Sequence, residues 1–590
     1  MSPWTWTLPC ARRSPLRLSG LHVATIGAAF SLLYLFCVFV IPQILRLRFR
    51  TDLGWYDLGF YGFGPSKNYA SFDYASPRVE ISQWDAGCDP RYTFLAPRGD
   101  SIAQAGPMIL DAAGNLVWMK HNWETTQDFK VQRYQDEDYL TYWEGGEIEG
   151  RGFGSWYMLD STYTQRYEIN PVGNYGGDLH EFHITPEGTA LVTVYDPTPA
   201  DLTSVGGPAL GWIFDGVFQE IDIESGELLF EWRASRHYPV NSTYEPLRRT
   251  GRTRETAFDY VHINSVDTDE QGNYLVSARH THSVSCIDRT TGELLWTLGG
   301  KLNDFTDASD GEATNFAWQH DARWHANNTL TLFDNAAHSN EDSGESRGMT
   351  IHLDVTAREA TLQTAYYHPQ QMKSVSQGNV QILDDGDRVL VGWGHSAAYS
   401  EYTPDGQLQC NVHFGASAFF TFGRVVSYRT FKGTWVGHPQ NPPDAEVEGN
   451  HVYVSWNGAT EVVAWRLEAW ASDDVSDATS FGVVAQFEKT GFETEIEIPE
   501  DMEWPLFRIV ALDADGNPLG VTDVLQRDQG MSMDELLHVQ NWILYIAFVM
   551  AGGGLLAGLY RCICCRRLFR RSNDYQLVPL SEREDDRSPV

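Results

Sequence analysis

Apolar and polar residues alternate in short runs through most of this 590-residue chain, and the runs are punctuated by glycine turns at long, regular intervals. One turn-and-exit pattern recurs. It reads Asp111-Ala-Ala-Gly114-Asn-Leu-Val-Trp118 first, then Ile223-Glu-Ser-Gly226-Glu-Leu-Leu-Phe230-Glu-Trp232. It returns as Asp288-Arg-Thr-Thr-Gly292-Glu-Leu-Leu-Trp296 and as Pro404-Asp405-Gly406-Gln-Leu-Gln-Cys410. The glycines lie 112, 66 and 114 residues apart, which is two, one and two units of roughly 55–65 residues. Degraded turns near 159–166 and 353–358 fill the gaps, for about six units in all. Short strands repeated this way, each unit closing on an aromatic, predict a six-bladed β-propeller over 78–440. A pair of β-sandwiches is the alternative, but sandwiches rarely repeat one hairpin at such a period.

The pattern changes after 440. His451-Val-Tyr-Val-Ser-Trp456, Thr460–Leu467, Phe481–Phe487 and Leu506–Gly516 predict a small fibronectin-like sandwich over 446–528. Outside this body, Leu21 to Leu45 is apolar and uncharged, and so is Trp542 to Tyr560. Each is long enough to cross a bilayer as a helix. Arg561, Arg566, Arg567, Arg570 and Arg571 follow the second run and place the tail 561–590, basic and then acidic, in the cytosol. Residues 1–20 are then cytosolic too. The expected location is the membrane of the secretory pathway or the cell surface, with the body lumenal or extracellular. A cleaved signal peptide is the alternative for 21–45, although the run is long and Arg46, Arg48 and Arg50 follow it.

Composition fits this picture. Aromatics make up 13% of the chain, with 20 Trp and 52 Gly, as all-β structure favours. A net charge of −36 excludes nucleic acid as a partner, because phosphate is repelled. Sequons at Asn241 and Asn327 suit a glycosylated lumenal body. Only Cys88, Cys286 and Cys410 lie in that body, so it holds at most one disulfide. Cys562, Cys564 and Cys565 sit at the membrane edge, where palmitoylation is plausible.

The candidate chemistry comes from register. His180, His262 and His320 each open a strand-like segment that is followed by a turn at a similar distance. On a radial fold they would converge on the axis. Asn264 is expected on the same face as His262, and Arg279 on the next strand. Three imidazoles and a guanidinium in an acidic protein suit a tetrahedral oxyanion. A structural hydrogen-bond ring and a three-histidine metal site are the alternatives, and Arg279 argues against a cation. His280 and His282 are expected to face away from Arg279.

These residues resemble the arylsulfotransferases of the ASST type, in their fungal, membrane-anchored branch. The resemblance covers about 78–528. It rests on Asp178-Leu-His180-Glu-Phe-His-Ile-Thr-Pro-Glu-Gly188, Asp215–Ile223, Phe258-Asp-Tyr-Val-His262-Ile-Asn-Ser-Val-Asp267, Gly272–His280 and Gln319-His320-Asp-Ala-Arg323. It implies a propeller that moves a sulfuryl group from a phenolic sulfate ester to a phenol, with no PAPS and no cofactor. It implies His320 as the nucleophile that becomes sulfohistidine, with His180, His262 and Arg279 holding the sulfate. Asn264 is expected to bind substrate. The bacterial members carry an N-terminal sandwich and no anchors, so this chain departs from them. A non-catalytic, membrane-anchored scaffold propeller is the rival reading. A quinone-dependent dehydrogenase and a P-loop sulfotransferase are disfavoured, the first lacking an adjacent cysteine pair in the body and a calcium ligand set, the second a phosphate loop.

Overall fold

A computed structural model describes residues 53–120, 125–339, 342, 344–383, 386–470, 481–499, 502 and 506–527. The apolar runs at 21–45 and 542–560, the ends 1–20 and 561–590, and the membrane-edge cysteines lie outside these residues. Among the described residues no helix is long and apolar enough to cross a membrane.

The described chain is all-β. Its larger part contains six antiparallel sheets that follow one another along the sequence. Sheet 1 holds Thr125–Tyr134, Glu137–Ile148, Arg151–Leu159 and Gln165–Ile169. Sheet 2 holds Phe182–Ile184, Thr189–Ala200, Gly211–Asp222 and Leu228–Arg233. Sheet 3 runs from Ile263–Thr268 through Tyr274–Ala278 and Ser283–Ile287 to Leu294–Leu298. Sheet 4 runs from His320–His325 through Thr329–Asp334 and Arg347–Asp354 to Glu359–Tyr367, with Thr306–Asp307 added in parallel. Sheet 5 contains Asn379–Ile382, Val389–Gly392, Ala398–Tyr402 and Leu408–His413, and borrows Glu80–Trp84 as a fifth strand. Sheet 6 joins the two ends of the body: Thr430–Gly433 comes first, then Tyr92–Leu95, Met108–Leu110 and Leu116–Met119. Each sheet touches the next, and sheet 6 touches sheet 1, so the arrangement is propeller-like.

All six turns singled out in the sequence lie at one place, between the third and fourth strands of a sheet. Gly226 and Gly292 sit there with positive φ, a conformation that costs glycine little. The aromatics that follow pack across to the neighbouring sheet. Trp118 stacks on Phe129 and Tyr163 of the sheet 1 region, Trp232 donates to Gly292 O at 3.1 Å, and Trp296 meets Trp324. The large apolar clusters lie between sheets rather than within one.

The Cys88–Cys410 disulfide ties the start of the body to the last strand of sheet 5, while Cys286 is free and buried. Beyond the sixth sheet lie two further sheets. One has Asp444–Glu448, His451–Ser455 and Glu493–Glu497; the other has Ala464–Trp470, Phe481–Glu488, Leu506–Leu512 and Pro518–Val521. They share a core of Val452, Val454, Trp465, Leu467, Ile496 and Ile509. This unit docks on the outer strand of sheet 6, where Gly458 N donates to Val117 O at 2.8 Å and Asn457 Nδ2 to Met119 O at 2.9 Å.

Candidate active site

Each sheet contributes one residue, at or just before its first strand, to a common cavity. In chain order these are Gln127, His180, His262, His320, Gln377 and Tyr428, and they line a space of about 520 Å³. Local backbone irregularity aims them. The first strands of sheets 1, 3 and 4 shift register at Gln127/Lys130, Ile263/Ser265 and His320/Arg323. Asp128, His262 and Asp321 there have positive φ. A bulge of this kind breaks the alternation of faces and re-aims a side chain.

In four sheets the next residue is charged and turns to the axis instead. Asp128, Glu181, Asp321 and Arg429 meet there with Lys130 and Arg323. Arg429 lies 2.8 Å from Asp128, 3.3 Å from Glu181 and 3.2 Å from Asp321. Arg323 lies 2.6 Å from Glu181, and Lys130 lies 2.8 Å from Asp128. Three acids and three bases thus plug the axis beside the cavity. The cations hold the Glu181 carboxyl well below its ordinary range, against the upward push of burial.

His180, His262, Arg279 and His320 all line the cavity. Asn264 does not. The register shift after Ile263 turns it away from His262, and its Nδ2 donates to Gln319 O at 2.7 Å. The expected alternation also fails at Arg279, because the strand ends at Ala278 and a 3₁₀ turn covers Arg279–Thr281. That turn brings His280 into the cavity beside Arg279, whereas His282 stacks on Tyr244.

Two carboxylates orient two of the imidazoles. Asp178 Oδ2 is 2.6 Å from His180 Nδ1, and Asp259 Oδ2 is 2.7 Å from His262 Nδ1. Asp178 is itself fixed by Gly152 N and Thr193 Oγ1. The two Nε2 atoms then face each other at 3.1 Å. Two neutral rings donating Nδ1–H to their carboxylates would oppose lone pair to lone pair. A hydrogen bond across this contact needs a hydrogen on one of the two Nε2 atoms. Burial, then the charges of His180 and Arg279, push the basicity of His262 well down.

His320 is held differently. Asn335 Nδ2 donates to Ser374 O at 2.7 Å and Gln377 O at 3.0 Å, so its Oδ1 must face His320 Nδ1, 2.7 Å away. His320 Nδ1 therefore carries the hydrogen, and Nε2 keeps its lone pair, toward which Gln377 N–H points at 3.2 Å. Close packing sets that peptide: a Cβ on Gly394 would fall 2.4 Å from Gln377 C and Gly378 N. Burial, then Arg279, push the His320 pKa well below the usual histidine range. The ring is a neutral base near pH 7.

Arg279 donates to His280 Nε2 at 2.9 Å, His338 Nδ1 at 3.3 Å and Val375 O at 3.1 Å, and it lies over Trp318. His280 accepts as a neutral ring because its Nδ1–H goes to Asp259 O at 2.6 Å. Among the described residues Arg279 forms no ion pair, and its buried Nε has no partner. Burial lowers its pKa to about 10, which leaves it charged at neutral pH. Asp259, His262 and His280 lie within 4.8 Å of one another, close enough to hold a metal ion. Their Nδ1 atoms are already committed to Asp259, and Arg279 and Arg151 flank them, which disfavours a cation.

Local pattern does not single out Gln127, Gln377, Tyr428, His338, Asp178, Asp259 or Asn335, and it places His280, a cavity residue, on the side opposite Arg279. One signal was available for some of them: Gln127-Asp128, His180-Glu181, His320-Asp321 and Tyr428-Arg429 each pair a cavity residue with an axial charge.

No curated protein matches this chain. Among solved structures, a protein of unknown function from Bacteroides caccae is 12% identical, with 58% of this chain and 98% of that one covered and a TM-score of 0.35. A periplasmic gluconolactonase of Pseudomonas aeruginosa is 12% identical, covering 69% and 99%, with a TM-score of 0.31. The WD40 domain of Toxoplasma gondii coronin is 9% identical, covering 79% and 91%, with a TM-score of 0.28. Residues 130–415, just under half of the chain, match the model of the Arylsulfotransferase (ASST) family, and that stretch contains His180, His262, Arg279 and His320.

Proposed function

We propose that the six sheets are the blades of one propeller and that the chain is a PAPS-independent aryl sulfotransferase working through a sulfohistidine. The similarity to the ASST family supports aryl sulfotransfer at the family level, with an aryl sulfate and a phenol as substrates. The observation that carries the mechanism is His320: a buried, neutral imidazole whose unprotonated Nε2, with Gln377 N–H 3.2 Å away, lies in a cavity that also holds an arginine without an ion pair among the described residues.

In the first half-reaction His320 Nε2 attacks the sulfur of an aryl sulfate. The N–S bond forms as the S–O(aryl) bond breaks, and the electron pair leaves on the phenolic oxygen. The proton held between His180 and His262 moves to that oxygen, so the phenol departs neutral. Arg279 faces the sulfuryl oxygens, where charge is concentrated in flight. The His320 Nδ1–H bond to Asn335 stabilises the positive ring. In the second half-reaction an acceptor phenol returns its proton to the histidine pair as its oxygen forms the new S–O bond and the N–S bond breaks.

The body is proposed to be held at a membrane of the secretory pathway or cell surface by 21–45 and 542–560. Asn241 and Asn327 are both exposed, as glycan acceptors must be. The direct test is mass spectrometry of protein quenched during turnover with p-nitrophenyl sulfate. An adduct of about 80 daltons on His320, the mass of one SO₃ group, supports the mechanism. Full transfer activity in His320→Ala would overturn it.

A further inference from the structure

The described chain begins with a feature that sulfuryl transfer does not use. Residues 55–63 read Trp-Tyr-Asp-Leu-Gly-Phe-Tyr-Gly-Phe. Trp55 is 64% exposed, Phe60 65% and Tyr61 53%, and Leu58 and Phe422 are exposed beside them. This is not a frayed end. Asp57 Oδ1 sits 2.8 Å from buried His413 Nδ1, and Ala416 N donates to Phe63 O at 2.9 Å. Ala418 N donates to Asp57 O at 3.1 Å, and Phe63 packs on Phe419 with ring centroids 4.3 Å apart. Arg78 covers one face of Tyr61. The backbone is thus stapled to the connection 414–429 while large rings point outward. Soluble surfaces rarely gather such rings in one place without a partner.

The patch lies on the cavity side of the molecule. Connection 414–429 carries Phe419 and Phe422 at its outer part and Tyr428 in the cavity. On the way, Val426 pairs with Arg98, another cavity residue.

We infer that Trp55, Leu58, Phe60, Tyr61 and Phe422 dock into the headgroup region of a lipid bilayer. Two observations select this occupant. Trp, Tyr and Phe are the residue types that partition to the membrane–water interface. The uncharged apolar run ends at Leu45, and only residues 46–54 separate it from the patch. Nine extended residues reach at most about 32 Å, so an anchor at 21–45 keeps the patch beside the bilayer. The inference rests on that reading of 21–45 and not on the sulfuryl chemistry.

The test uses the full chain in phosphatidylcholine vesicles doped with a phospholipid that carries a diazirine near the carbonyl end of its acyl chain. Adducts are mapped by peptide mass spectrometry after irradiation. Adducts are expected on 55–61 and Phe422 as well as on 21–45. In the double variant Trp55→Ser/Phe60→Ser, those at the patch should fall at least about fivefold while those on 21–45 persist. Thermal melting of the variant should be unchanged, since both rings are exposed. Adducts on 21–45 with none at the patch overturn the docking proposal and keep the anchor. Adducts at neither overturn both. Patch adducts without any on 21–45 keep the docking and remove the anchor. Cross-links from the patch to a second copy, or to residues 1–52, in place of lipid also overturn it.

Discussion

The axial plug and the histidine cavity sit side by side and are built from adjacent residues of the same strands, yet they treat buried charge in opposite ways. In the plug, Asp128, Glu181 and Asp321 face Lys130, Arg323 and Arg429 at ion-pair distance. In the cavity, Arg279 faces imidazole lone pairs and a carbonyl, with no carboxylate in contact. A buried charge without a counterion is costly, and a fold that keeps one has left a place for an anion. Compensated charge locks the first strands together. Under the proposed function, the uncompensated charge is where the sulfuryl group would bind.

This contrast makes the two regions separable by mutation. The largest effect is expected at His320→Ala: transfer activity should fall by at least about 10⁴-fold, with urea-unfolding stability within about 1 kcal/mol of the parent. A comparable loss of stability would place His320 with the plug. Glu181→Gln should behave in the reverse way. It leaves Arg323, Arg429 and Lys130 short of a partner and should cost about 3–5 kcal/mol in the same unfolding experiment. The protein that remains folded should keep its kcat.

Arg279→Met sharpens the comparison further. It should lower kcat by about 10²–10³-fold, as loss of a transition-state donor does, while raising the melting temperature. A fall in melting temperature would mean that Arg279 is structural. Acid titration gives the next effect. His280 and His320 have pKa values well below the ordinary histidine value. The unfolded chain binds their protons first as pH falls through about 6.5, so stability declines below that point by about 1.4 kcal/mol per pH unit for each ring. Denaturant midpoints at pH 5 and pH 7 measure this, and equal midpoints would contradict it.

The smallest change is expected at Asn335. Asn335→Ala frees the tautomer of His320 and should reduce kcat by about tenfold. Asn335→Asp should instead raise the basicity of His320 and move the acid limb of the rate profile upward. An unmoved limb would separate His320 from the titrating step.

Much of this molecule was written in local pattern. The glycine turns, the closing aromatics at Trp118, Trp232 and Trp296, and the strand-opening histidines are periodic. Periodicity survives because every sheet meets the same neighbours. Arg279 could be singled out because it directly follows the strand that comes next after the one opened by His262. Asn264 was misplaced for a specific reason: alternation holds only while the ladder holds, and the ladder slips after Ile263. The same limit applied to His280, which a 3₁₀ turn carries into the cavity.

The sequence by itself determined the strand repeat, the change to a second β unit after 440, and the rung on which three imidazoles lie, because each depends on neighbours a few residues apart. Tertiary structure alone decided that the Nε2 atoms of His180 and His262 meet, and that Asn335 sets the tautomer of His320. It also decided that six charges from four sheets neutralise one another at the axis. Those outcomes turn on distances of about 3 Å between residues tens to hundreds of positions apart, and no local pattern fixes such a distance.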